Sequence, residues 1–204
     1  MQTKEQEKID TFKNYVAKRL DELKNYQEVE PLTAKEWKEF EIENIFDIQS
    51  GKRLIKTEMI KGKMPFIGAS DSNNGITGYV SNINSSLDKN VLGVNYNGSV
   101  GETFYHPYEA IFSDDVKRFS LKHTVENRHL YLFFKSIILK QIDKYQYGYK
   151  FNEGRMLRQK ILLPTNANGQ PDYEYMEHYM KKIEYQKLTA FLKAKRLHFS
   201  GLNQ

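Results

Sequence analysis

The chain has 204 residues, 39% hydrophobic and 28% charged, enough for one sizeable domain or a smaller one with helical extensions. The absence of cysteine excludes disulfides, thiolate nucleophiles and cysteine-based zinc sites. A net charge of +5 favours a polyanionic partner only weakly by itself, and no apolar run approaches the roughly 20 residues of a membrane span.

The N-terminus, MQTKEQEKIDTF, is charged from its fourth residue and lacks an apolar core, so a signal peptide is not expected and a cytoplasmic location is the default. From Lys4 to about Glu28 there is neither Gly nor Pro. Ile9, Val16 and Leu23 recur every seven residues, with Phe12 and Leu20 beside them. That spacing predicts a long helix of coiled-coil type, ended before Pro31.

Residues 35–166 have a different texture and read as a separate domain. Asn74-Gly75 precedes the alternating run Ile76 to Val80, and Asn97-Gly98 follows the run Val91 to Tyr96. Asn-Gly between β-rich segments is a strong hairpin signal, because both residues tolerate the left-handed backbone of tight turns. The segment from Tyr131 to Ile142 exceeds ordinary strand length and is assigned as a buried helix. Ile161 to Pro164 reads as a closing strand. The fold class is α+β, a twisted, mostly antiparallel sheet with helices. A second long helix follows, from Pro171 to about Phe199, on which Met176, Met180, Ile183, Leu188, Phe191 and Leu192 lie near helical spacing. The three zones are therefore 1–30, 35–166 and 170–200, with the two outer helices available for coiled-coil pairing.

Motifs that carry chemistry are sparse. No phosphate-cradling GxxxxGK[ST] loop, GxSxG elbow or Asn-Pro-Pro-Tyr methyltransferase loop occurs. The five histidines, His106, His123, His129, His178 and His198, lack metal-ligand spacing, so no metal and no cofactor are expected. Asp115-Val116-Lys117 fits the (D/E)xK half of metal-dependent nucleases, with Asp114 beside it. The tripeptide is short enough to arise by chance, and a β-turn or strand end in which Asp114 caps backbone N–H groups is the better reading.

Basic residues crowd the stretch from Lys117 to Lys160, where eleven Lys and Arg face only Glu126, Asp143 and Glu153. Side chains able to match base edges concentrate in three loops. One holds Ser70, Asp71, Ser72, Asn73 and Asn74. Another holds Asn97 and Ser99. The last runs from Tyr145 to Arg155 and carries Tyr147, Tyr149, Lys150 and Asn152, its rings interleaved with cationic and glycine residues. Lys52 and Arg53, after Gly51, are candidates for a phosphate clamp. No catalytic residue is assigned.

The middle zone also forms an ordered series. It opens with Trp37, Phe40, Ile42, Ile45, Phe46 and Ile48 before Ser50-Gly51-Lys52, and continues with Met64-Pro65-Phe66-Ile67-Gly68. Asn97-Gly98-Ser99-Val100-Gly101 follows, then Ala110 to Val116, Tyr131 to Phe134, and Ile161 to Pro164 before a long helix. This order resembles the target-recognition domain of type I restriction-modification specificity subunits, and is similar to the specificity subunits and recognition domains of type IIB and IIG enzymes. The resemblance spans residues 36–198. It implies a non-catalytic subunit that reads double-stranded DNA and positions an adenine-N6 methyltransferase, with a nuclease or translocase subunit in restriction complexes. The family's usual subunit has two recognition domains joined by two long helices, and this chain has one. It therefore resembles a half-subunit, expected to pair with a second copy through its helices and to meet a palindromic, interrupted site. Two other readings stay open: a Mg²⁺-dependent nuclease on Asp114, Asp115 and Lys117, and a protein adaptor built on the two helices.

Overall fold

The computed structural model describes residues 4–142 and 153–200. Two compact units result. One joins the two ends of the chain, up to Ala34 and from Glu174; the other is Lys35–Tyr173.

The terminal unit is a helix pair. Helix α1, Lys4–Leu23, buries Val16 and Leu23, so the heptad stripe is the buried stripe. Its partner is α5, Tyr173–Ser200. Arg19 donates to both carboxylate oxygens of Glu184 at 2.8 and 3.1 Å, and Phe12 meets Phe191 edge-on at 5.3 Å. Tyr26 packs on Tyr185 at 5.5 Å, and the Tyr175 hydroxyl donates to the Glu30 carbonyl at 2.9 Å. Partners ascend along one segment as they descend along the other, so the two run antiparallel. Helix α1 stops at Leu23, short of the expected Glu28. The residues beyond it are extended and tied to α5: Gln27 N–H donates to His178 Nδ1 at 3.0 Å, and Lys182 bonds Glu28 and the Val29 carbonyl. Those bonds replace the ones that another helical turn would have made.

Among the described residues, the other unit holds nine strands in three sheets. Strand β1, Trp37–Glu41, pairs antiparallel with β9, Lys160–Pro164. A four-stranded antiparallel sheet has the order β2-β8-β5-β6, made of Phe46–Ser50, Val116–Leu121, Val91–Asn95 and Thr103–His106. The third sheet has the order β4-β3-β7. Strand β3, Lys61–Ile67, is antiparallel to β4, Ile76–Val80, and parallel to the short β7, Ile111–Phe112. Pro65 can sit inside β3 because β7 pairs only at Phe66 and Ile67, so no ladder bond is lost on that side.

Every residue of β5 is buried, which suits an inner strand of Val, Leu and Gly that ends in Asn95, whose amide is satisfied by the Ser70 carbonyl. Helix α3, Arg128–Leu139, begins where the Asn127 side chain accepts from the backbone N–H of His129 and Leu130, a cap worth about 1 kcal/mol. It buries Leu130, Tyr131, Phe133, Phe134 and Ile138. Phe134 meets Phe46 at 5.0 Å and Phe46 meets Phe119 at 5.3 Å, while Tyr131 stacks on Tyr105 at 5.2 Å. Trp37 stacks on Phe133 from β1. Two short helices, α2 at Ile42–Ile45 and α4 at Glu153–Leu157, pack against each other at the start of β2.

Candidate nucleic-acid interface

Strand pairing gathers four loops at one end of the four-stranded sheet. Ser50 lies opposite Lys117, and Asn95 opposite Val116. The segment after β2, the turn before β8 and the β5–β6 loop therefore leave from the same edge. The β3–β4 loop joins them, since Asn95 Nδ2 donates to the Ser70 carbonyl at 2.9 Å and Ser113 N–H to the Ile67 carbonyl at 2.8 Å.

The β3–β4 loop turns at Asn73, Asn74 and Gly75, all in the left-handed region with φ of 49°, 54° and 73°. Asn and Gly are the residues that enter this region at least cost, which accounts for the motif. Asn74 Nδ2 donates to the Tyr108 hydroxyl at 2.7 Å, and Asn73 Nδ2 to the Ile76 carbonyl at 3.1 Å. Ser70 and Ser72 hydroxyls share a bond at 3.1 Å, and Asp71 is exposed at the tip. In the β5–β6 loop, Asn97 Nδ2 donates to Asp115 Oδ1 at 2.7 Å, and the Ser99 carbonyl accepts from Glu102 N–H at 3.2 Å. Lys52 is exposed while its backbone N–H donates to the Phe112 carbonyl at 2.8 Å. Arg53 is 77% exposed and faces Asp114 at 3.6 Å.

Lys52, Arg53, Ser70, Asp71, Ser72, Asn97 and Ser99 thus gather at one edge, while the turn at Asn73 and Asn74 leads away from it, since Asn74 bonds the Tyr105 carbonyl and the Tyr108 hydroxyl and Tyr105 lies opposite Leu92. Arg155 does not join them; it lies on α4, which packs on α2 at the opposite end of β2. Tyr147, Tyr149, Lys150 and Asn152 lie outside the described residues, as does Tyr145.

Much of the basic stretch does internal work. Lys117 is 6% exposed, donates to Ser50 Oγ at 2.6 Å and sits 5.2 Å above the Tyr96 ring. Arg118 is equally buried and bonds Asp88 and the Ser50 carbonyl at 2.8 and 3.0 Å. Lys122 reaches the Glu43 carbonyl at 2.9 Å and Lys135 lies over Phe104. A linear charge count cannot separate these from cations that face solvent. Lys52, Arg53 and Lys56 are the exposed cations after β2.

The (D/E)xK tripeptide is similarly committed. Asp115 holds the β5–β6 loop, through Asn97 and through its carbonyl, which accepts from Tyr96 N–H at 2.7 Å. Lys117 is occupied by Ser50 and Tyr96. Among the described residues no group of three His, Cys, Asp or Glu side chains could hold a metal ion.

Sequence reasoning missed the role of the Ser113–Asp115 turn in joining these loops. With Arg53, Leu54, Phe66 and Ala69 the turn lines a groove of about 390 Å³. No local signal marks it, because the turn reaches the other loops only through strand pairing.

Residues 34–192 match the family described as the type I restriction modification DNA specificity domain. The specificity subunit S.BcgI of a type II restriction enzyme, from Heyndrickxia coagulans, is 55% identical over 172 residues, 84% of this chain and 50% of that protein. The type I restriction-modification S subunit from M. genitalium aligns over 91% of this chain and 50% of its own, with a TM-score of 0.56 at 20% identity. The HsdS subunit from Thermoanaerobacter tengcongensis aligns over 92% of this chain and 49% of its own, with a TM-score of 0.54 at 10% identity. At those identities the two structures bear on fold alone, and they share the arrangement of mixed helices and antiparallel sheets. The chain spans about half the length of these relatives. With the match covering most of its length, the chain belongs to the type I restriction modification DNA specificity domain family.

Proposed function

We propose that this chain is the DNA-reading half of a restriction-modification specificity subunit, without chemistry of its own, which places a partner adenine-N6 methyltransferase on a defined duplex sequence. The observation that carries the reading is the meeting of four polar loops, with exposed Lys52, Arg53 and Lys56, at one edge of a rigid sheet. Cations there would supply affinity through phosphates, and the loop side chains would supply sequence preference through base edges. In the proposed complexes a nuclease or translocase subunit acts beside the methyltransferase. A type II assembly is favoured over a type I one by the 55% identity to a type II specificity subunit.

A single reader covers half of a divided site. We infer that two copies join through their helix pairs, giving a two-fold arrangement and a palindromic, interrupted target. Three rings left exposed on the terminal unit, Phe12, Tyr15 and Phe191, support that pairing.

Methylome sequencing of cells carrying this chain with its neighbouring methyltransferase tests the reading. The expected result is one new methylated adenine motif, interrupted and palindromic. If no motif appears, the proposal fails.

A further inference from the structure

The asparagines of the β3–β4 and β5–β6 loops have their amide nitrogens turned inward. Asn73, Asn74, Asn95 and Asn97 each donate to a partner within the fold, at 3.1, 2.7, 2.9 and 2.7 Å. They shape the loops. Asp114 differs. It stands at the groove wall, 43% exposed at its side chain, facing Arg53 at 3.6 Å. Both members of that pair are more than one-third exposed, so the pair itself contributes little and exchanges partners at low cost. In the same turn Ser113 Oγ is buried with no hydrogen-bond partner, an unmet requirement on the wall of the same groove.

A carboxylate turned toward a duplex is repelled by phosphate unless it accepts hydrogen bonds from a base. In the major groove the exocyclic N4 amine of cytosine supplies that donor, and a carboxylate is its natural acceptor. Arg53, next to it, is long and exposed enough to leave Asp114 for a phosphate when DNA arrives, which removes the competing partner and offsets the repulsion.

Resting on the DNA-reading function above, we propose that the Ser113–Asp114 turn is a specificity-determining element. Its Asp114 carboxylate accepts from a cytosine N4 amine and so selects one C·G pair in the half-site, with Arg53 releasing it by moving to phosphate.

The test uses the same methylation assay with three forms of the full chain: wild type, Asp114→Asn and Ser113→Ala. Asparagine matches the adenine N6/N7 pattern, so D114N is expected to move the preference at one position from cytosine to adenine. Discrimination against the wrong base there should fall by roughly 5- to 150-fold, with the rest of the motif retained. S113A is the control: it removes only a buried, unpartnered hydroxyl, so its melting temperature should hold or rise and its motif should match the wild type. An unchanged motif in D114N overturns the proposal, as does uniform loss of methylation with an unchanged melting temperature. Should D114N fail to fold, Asp114→Ser decides: an unaltered preference overturns the proposal, and weakened discrimination at a cytosine position supports it. A wild-type chain that yields no motif removes the DNA-reading function itself, and this inference with it.

Discussion

Gly93, in the middle of β5, carries no side chain because His106 occupies the space. A Cβ there would lie 2.7 Å from His106 Nε2 and 3.1 Å from its Cδ2. The imidazole is fully buried, shares a 3.3 Å contact with the Tyr108 hydroxyl through Nδ1, and has no partner at Nε2. Burial, then the charge of Lys135, pushes its pKa down from 6.5 to about 4. The unfolded chain therefore takes up a proton between those values that the folded chain refuses. Stability from this group is complete above pH 6.5, declines as pH falls, and is lost once pH passes about 4. The loss is about 3 kcal/mol. Denaturant midpoints at neutral and acidic pH, compared between wild type and His106→Leu, check this: the variant should show the smaller difference. Equal differences would mean that His106 takes no part in the acid response. Histidine 106 was legible in the sequence only as one of five without metal-ligand spacing. Its burial follows from pairing with Val91 across β5 and β6.

The elements show where local pattern suffices. Helix α3 was recognisable from a run too long for a strand, and Asn127 supplies its cap. Both long helices were recognisable from their apolar stripes, because helix periodicity is written in neighbouring residues. Their antiparallel pairing within one chain, through Arg19 with Glu184 and Phe12 with Phe191, required the fold. So did the end of α1 at Leu23, set by bonds to α5 that no local rule anticipates. The proposed self-association belongs to this scale. Phe12, Tyr15 and Phe191 are 45, 52 and 39% exposed, and introducing charge among them should separate two copies without disturbing either helix. Tyr15→Asp, at the most exposed of the three rings, is expected to convert a dimer to a monomer in light scattering with unchanged helical circular dichroism. A wild-type chain that is already monomeric at high concentration would refute pairing through this patch.

At the scale of the whole molecule, a net charge of +5 describes the chain poorly, because Lys117, Arg118 and Lys122 answer partners within the fold. The cations available at the reading edge are Lys52, Arg53 and Lys56. Binding through them releases counterions, so duplex affinity should fall linearly on a double-logarithmic salt plot. Lys52→Ala should lessen the slope by about 0.9 for the one phosphate contact removed. Fluorescence anisotropy across a salt series measures both. Affinity indifferent to salt would favour the adaptor reading over the DNA-reading one.

The sequence by itself determined the α+β class, the two long helices and the Asn-Gly turns of the β-rich middle. Those features depend on neighbours along the chain: periodicity, turn-forming Asn-Gly pairs, and the order of motifs that placed the family. Only the tertiary structure decided that the strands of the described residues form three sheets, that Arg155 stands apart from the other candidate residues, and that the Ser113–Asp115 turn joins the loops at one end of the four-stranded sheet. The physical reason is strand pairing. Asp115 reaches Asn97, and Asp114 faces Arg53, because β8 lies between β2 and β5, and the order of strands across a sheet is set by long-range packing.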